Sequence, residues 1–182
     1  MPLTEMKKLL ALMASLRDPQ KGCPWDREQS FESLVAHTLE EAYEVAEAVE
    51  LNDLSALRDE LGDVLFQVVF YARLAAEQGL FDFEDVASGI TDKLTRRHPH
   101  VFADASVVDA QAQTHAWEAH KAGERMARLG DSGALAGVAI SLPAMTRAAK
   151  LQKRAARVGF DWPEIQPVFA KVSEELEEVR QE

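Results

Sequence analysis

Two groups of carboxylates stand out in the first half of the chain. Glu40, Glu41 and Glu44 form an EExxE pattern, and Glu60 and Asp63, beyond residues 45–59, form ExxD. Both groups lie in strongly helical sequence, with Asn52-Asp53 as a turn signal between them. Positions three and four apart are neighbours on a helix. Glu41 and Glu44 therefore project from one side, with Glu40 stacked over Glu44, while Glu60 and Asp63 project together from the next helix. A short turn makes the two helices antiparallel neighbours, so the carboxylate pairs can face each other across a hairpin. Two carboxylates about 4 Å apart repel by roughly 4 kcal/mol at an effective dielectric near 20. Such a group must spread apart, take up protons or bind a cation. Hard divalent ions with oxygen ligands, Mg²⁺ or Mn²⁺, suit an all-carboxylate site.

A solvated acidic face is the usual role of glutamates on a helix, and EExxE alone does not exclude it. The second group does more. After Asp63 the chain runs Val64-Leu65-Phe66-Gln67-Val68-Val69-Phe70-Tyr71-Ala72, the pattern of a buried helix. Glu60, Asp63 and Gln67 form one polar stripe entering it, and acids rarely go inside unpaired. Lys93 and Arg97 are the complementary cations. Their i,i+4 spacing puts both on one helix face, and an arginine can grip phosphate oxygens through two hydrogen bonds. Trp25 and Trp117 offer aromatic faces on which a nucleobase could stack, against the plainer role of packing. His98 and His100 flank Pro99 without an accompanying Cys or ExxH element, which favours a structural role and disfavours a di-iron bundle.

The elements that must position these residues follow from periodicity and punctuation. A first helix is expected over Thr4–Arg17, then a loop through Gly22-Cys23-Pro24-Trp25-Asp26. A short helix over Phe31–Ala36 either precedes or runs into a helix reaching Leu51. Thr38 and Glu41 have the spacing of a capping box for that second helix. Asp53 caps a long helix that Gly79 stops, and Asp82 caps another over Phe83–Arg97 that His98-Pro99 ends. A loop over 99–107 leads to a helix over Val108–Leu129, stopped by Gly130. Helices then follow over Pro143–Val158 and from Gln166 onward. No segment alternates with period two, so the fold is expected to be all-α, a helical bundle. The domain layout expected is a catalytic domain over 1–130, a flexible linker over 131–142 and a helical C-terminal segment over 143–182.

Composition limits the function. The 182 residues, 47% hydrophobic, suffice for one packed domain, and a net charge of −11 argues against a nucleic-acid polymer or an anionic membrane as partner. It leaves open a small phosphorylated ligand whose charge a metal carries. Cys23 is the one cysteine, in keeping with a reducing cytoplasm. Lys7-Lys8 and the apolar run after them lack a cleavage site and fit an amphipathic helix better than a signal peptide.

An internal echo runs through the chain. Gly22-Cys23-Pro24-Trp25-Asp26 followed by Glu40-Glu41-Ala42-Tyr43-Glu44 is matched late by Gly159-Phe160-Asp161-Trp162 followed by Glu174-Glu175-Leu176-Glu177-Glu178. The late copy has no ExxD partner after it in this chain, so only the first can build the whole hairpin from its own residues.

The runs GCPWD, TLEEAYEV, DELGDVLFQVVFYA and KLTRRHPHVF, in that order, resemble the MazG branch of the all-α nucleoside triphosphate pyrophosphohydrolases. KLQKRAARVGFDW at 150–162 resembles the entry to a second MazG domain. The resemblance implies a helical domain completed by dimerisation, as a homodimer or a dimer of dimers. It implies Mg²⁺-dependent cleavage of the α–β phosphoanhydride bond of a nucleoside triphosphate, giving monophosphate and pyrophosphate, as nucleotide-pool housekeeping. Glu41, Glu44, Glu60 and Asp63 would hold metal. Glu40 would hold a second ion or the attacking water, and Glu40 or Glu41 would act as base. Lys93 and Arg97 would contact phosphates, and Trp117 with Lys121 would contact substrate. One departure stands out: Thr91 occupies the place where many active domains carry Asn. With duplicated members unequal in activity, the alternative is a catalytically weak dimerisation or regulatory module that binds metal or nucleotide.

Overall fold

Amphipathic periodicity becomes helix wherever a cap and a stop bracket it. A computed structural model of the protein describes residues 4–103, 109–129 and 133–181, and among them there is no strand. The elements in order are α1 (Thr4–Leu16), α2 (Pro24–Glu28), α3 (Leu34–Glu50), α4 (Leu54–Glu77), α5 (Phe83–Arg97), α6 (Pro99–Phe102), α7 (Ala110–Leu129), α8 (Ala144–Ala156) and α9 (Ile165–Gln181). The all-α fold expected from the sequence is the fold observed. The chain divides into two compact units, Met1–Ala103 and Asp104–Glu182.

The first unit is built on the antiparallel pair α3 and α4, with α1 and α5 packed against α4. The turn between α3 and α4 is made by two residues suited to it. Asn52 takes a left-handed conformation (φ 54°), which Asn tolerates better than most side chains. Asp53 then caps α4, its Oδ1 accepting from Ser55 N and Ala56 N at 3.0 Å each. At the far end, Gly79 (φ 67°) turns the chain out of α4. Leu80 N there donates to Ala75 O and Gly79 N to Ala76 O, the reciprocal pair of a Schellman stop. Asp82 and Asp85 form a full capping box for α5. The core, Met13, Leu34, Val69, Phe70 and Leu74, joins α1 and the start of α3 to the second half of α4.

Arg17, just past α1, ties this unit together. Its Nε and Nη2 donate to the Glu77 carboxylate at 3.0 and 2.7 Å, and its Nη1 donates to the Asp26 carbonyl. Its guanidinium carbon stands 5.6 Å from the centre of the Phe70 ring. Gly22 allows the following loop to fold back, because a Cβ there would sit 2.3 Å from Leu16 O.

Three local expectations are corrected. Trp25 and Asp26 belong to a helical turn, α2, opened by Pro24, since proline at the first position has its φ set for helix. Of the two readings open for the stretch before the turn, the continuous helix is the one observed, α3, and the expected cap at Thr38 is replaced: its hydroxyl donates to Leu34 O at 2.9 Å inside the helix. Pro99–Phe102 forms a further helical turn in the expected loop. The rest of that loop, the expected start at Val108 and the expected stop at Gly130 lie outside the described residues.

In the second unit, Arg157, just beyond α8, pairs with Glu118 of α7 at 2.5 Å. Arg154 donates to the Ala136 carbonyl.

The Arg17 pair generates a pH prediction. Arg17, against the opposing cost of burial, holds the Glu77 carboxyl below its ordinary value of 4.5. A carboxyl depressed in the folded state contributes stability above its ordinary value and loses it as pH falls through the folded value. Glu77→Gln should therefore cost about 1.5–3 kcal/mol at pH 7. The difference from the parent should shrink as urea melts are repeated below about pH 4.5.

Candidate active site

The acidic residues of the hairpin converge midway along α3 and α4. One end of the pair is pinned where the Thr38 hydroxyl meets the Tyr71 hydroxyl at 3.2 Å, with the Tyr71 ring stacked on Phe31. The other end is the Asn52-Asp53 turn. Between them, single carboxylate oxygens of Glu41, Glu60 and Asp63 all lie within 4.8 Å of one another. Glu41 and Glu60 are partly shielded from solvent, and Asp63 is exposed.

Electrostatics confirm that these groups crowd each other. The Glu41 carboxyl is pushed above its ordinary value by partial burial first, then by the charges of Asp63 and Glu44, a hydrogen bond with Glu44, and the charge of Glu60. Glu60 is raised by desolvation and by Glu44, Asp63 and Asp59. Glu44 is thus part of the group although it is not among the three oxygens nearest each other. Glu40 goes elsewhere, its carboxylate 3.7 Å from Nδ1 of His37 one turn earlier. Gln67, one turn beyond Asp63 on the same face of α4, is 6% exposed, and its Oε1 has no hydrogen-bond partner among the described residues.

The donor set fits a hard divalent cation. Three carboxylate oxygens within one small sphere, two of them on carboxyls whose ionisation is penalised without a counter-charge, are what such an ion relieves. Among the described residues, no group of opposite sign is a named cause of either shift.

The other expected site residues are distributed as follows. Lys93 and Arg97 lie one turn apart on α5, which packs on α4; Lys93 is exposed and Arg97 half-buried. Thr91 spends its hydroxyl on its own helix, donating to Ala87 O at 2.8 Å. His98 Nδ1 lies 2.7 Å from Leu94 O, a hydrogen bond to its own helix. The Trp25 ring meets His37 edge-on at 5.6 Å. Trp117 and Lys121 belong to α7 in the second unit, where Lys121 Nζ donates to Glu118 at 3.1 Å. Asp59 was not anticipated as a contributor of negative charge to Glu60, although its adjacency in sequence was a signal.

A helical hairpin with opposed EExxE and ExxD carboxylates, and beside it a helix carrying Lys93 and Arg97, defines an all-α, acidic-site class of protein. The profile of the MazG nucleotide pyrophosphohydrolase domain matches residues 29–102, which include α3, α4 and α5 whole. The chain is 51% identical over 180 residues to a nucleoside triphosphate pyrophosphohydrolase of Escherichia coli K12, covering 99% of this chain and 68% of that protein. It is 40% identical over 179 residues to the nucleoside triphosphate pyrophosphohydrolase/pyrophosphatase MazG of Thermotoga maritima, covering 96% and 66%. The crystal structure of a MazG-related protein from Thermotoga maritima superposes with a TM-score of 0.52 at 31% identity, over 63% of this chain and 97% of that one. The chain belongs to the MazG family.

The crowding has a measurable sign. A carboxyl raised in the folded state costs stability as pH rises through its titration. In EDTA, Glu60→Gln should therefore melt at a higher temperature than the parent at pH 7, and the gain should vanish below about pH 4.5, where both carboxyls are protonated.

Proposed function

We propose that the protein hydrolyses nucleoside triphosphates to the monophosphate and pyrophosphate, with the α3–α4 hairpin as its metal-dependent centre. The observation that carries this reading is the convergence of Glu41, Glu60 and Asp63 inside the stretch that matches the family profile. The similar proteins named as nucleoside triphosphate pyrophosphohydrolases support it.

Glu41, Glu44, Glu60 and Asp63 would hold divalent metal, Mg²⁺ or Mn²⁺. When bound, the metal supplies charge neutralisation for the polyphosphate and a water of lowered pKa. The chain's own groups do the rest. Without a cation the cluster repels a triphosphate, so the site admits substrate only as a metal complex. Lys93 and Arg97 would take the phosphate oxygens, Arg97 through its planar fork. Glu40 or Glu41 would act as base for the attacking water; Glu41 stands within the carboxylate cluster and Glu40 beside His37.

The hairpin also offers a reason to dimerise. Val35, Leu39 and Tyr43 recur every fourth residue along α3 and are at least half exposed, and Leu61 and Val68 continue the apolar surface on α4. A homodimer burying these stripes fits, as an obligate pairing of helices in a four-helix core. Leu39→Glu should convert the dimer to a monomer in light scattering after size exclusion, while far-ultraviolet dichroism keeps its helical shape.

The test of the activity is a nucleotide panel with Mg²⁺, Mn²⁺ or EDTA, scored for pyrophosphate and monophosphate. Turnover with metal, none in EDTA, and at least about a hundredfold loss of kcat in Glu41→Gln are expected. A second reading, a regulatory module that binds nucleotide with little turnover, is favoured by Thr91, whose hydroxyl is occupied by its own helix. Tight metal-dependent binding without pyrophosphate release from any nucleotide would select it.

A further inference from the structure

The second unit carries a cleft of opposite character. Between Gly133 and Phe160 the sequence has no Asp or Glu, yet it holds Arg147, Lys150, Lys153, Arg154 and Arg157, in a chain whose net charge is −11. The structure folds four of these, with Lys121 of α7, around a cavity of about 470 Å³. That lies within the roughly 300–1,000 Å³ of small-molecule sites. Its one acidic lining residue among the described residues is Glu118. Glu118 is already engaged: Lys121 lies 3.1 Å and Arg157 2.5 Å from its oxygens. Burial opposes its ionisation, but those two cations prevail and hold its carboxyl below the ordinary range. Two cations hold the one carboxylate, and Lys150, Lys153 and Arg154 line the same cavity, so positive charge gathers in a concavity rather than on a spread-out surface.

We propose that the α7–α8 cleft is a second anion site, which binds the phosphate chain of a free di- or triphosphate without divalent metal. Arg157, oriented by Glu118, presents a fork suited to phosphate oxygens, and Lys150 and Lys153 supply mobile point charges. A nucleic-acid polymer is a poor fit, because it would need a long basic surface and would meet the acidic remainder of the chain. The compact, multiply charged anion is the ligand whose size and charge density match. The site is the electrostatic inverse of the hairpin: the hairpin requires a cation to receive a phosphate, and the cleft does not. It stands independently of the activity proposed for α3 and α4.

The difference makes the two sites separable. Calorimetry of the full chain with inorganic pyrophosphate, and with inorganic triphosphate, is run in EDTA at low ionic strength. One saturable site per chain is expected, weakening steeply with added salt. Lys150→Ala with Lys153→Ala should weaken it at least about tenfold, and Lys150→Arg with Lys153→Arg should retain it. Neither pair should alter the helical dichroism or metal-dependent nucleotide turnover. A nucleoside triphosphate should bind no more tightly than inorganic triphosphate. Absence of saturable binding would overturn the proposal. So would equal affinity for sulfate, binding unchanged by the double alanine variant, or loss of binding in Glu41→Gln instead.

Discussion

Mutual repulsion among the hairpin carboxylates is the constraint to which the first unit answers. Glu41, Glu60 and Asp63 bring oxygens within 4.8 Å of one another, and nothing within the hairpin neutralises them. Helices α3 and α4 would relieve this by separating, and packing elsewhere prevents it. The buried residues Leu34, Val69, Phe70 and Leu74 lie toward one end of the pair, where Met13 of α1 closes over them. Ala48, 4% exposed, and the capped Asn52-Asp53 turn lie at the other. The acids occupy the interval between two fixed ends. The strain is electrostatic and local, while the attraction that offsets it is apolar and displaced along the helices. A cation in the interval, as proposed, would offset that repulsion.

The same residue type shows both possible outcomes within one unit. Glu77 is held by Arg17 and Arg73, and its carboxyl lies below the ordinary range. Glu41 and Glu60 are raised by desolvation and, among the described residues, by like charges, and theirs lie above it. The first arrangement joins the end of α1, the α2 turn and the end of α4, so it serves the fold. The second serves no packing purpose that an uncharged side chain would not serve better. That contrast is the physical support for the ligand site proposed at the hairpin acids, apart from any likeness to other proteins.

What could be read from the sequence follows from the range of the interactions involved. Helix identity, the Asp53 and Asp82 caps, the Gly79 stop and the facing carboxylates depend on residues a few positions apart, and these were legible. Thr38 misled because Ser/Thr three residues before Glu is also a common mid-helix pattern. Its hydroxyl bonds the preceding turn and Tyr71, and the apolar contact of Leu34 with the core extends the helix past it. The Arg17–Glu77 tie spans sixty positions and left no periodic trace. Glu40 fits EExxE as well as Glu41 does. Which of the two faces α4 is decided by helix phase against a partner, and the His37 spacing that draws Glu40 away is a weak signal by comparison. The cationic run of α8 was visible, but its meaning depended on Glu118 in another helix fixing Arg157 and on the cavity between them.

The two units treat charge in complementary ways. A carboxylate cluster can discriminate between free and metal-bound polyphosphate, because it repels the first and coordinates the metal of the second. A lysine and arginine cleft has the reverse preference, since a bound divalent ion cancels the charge it would grip. A protein holding both distinguishes the two states of one chemical class instead of competing with itself for a single ligand. The acidic balance of the chain supports that division. With a net charge of −11, long-range attraction for anions is weak, so an anion is retained only where cations converge at short range. The cavity lined by Lys150, Lys153 and Arg157 meets that condition, and the α3–α4 hairpin would meet it only with metal on its carboxylates, as proposed.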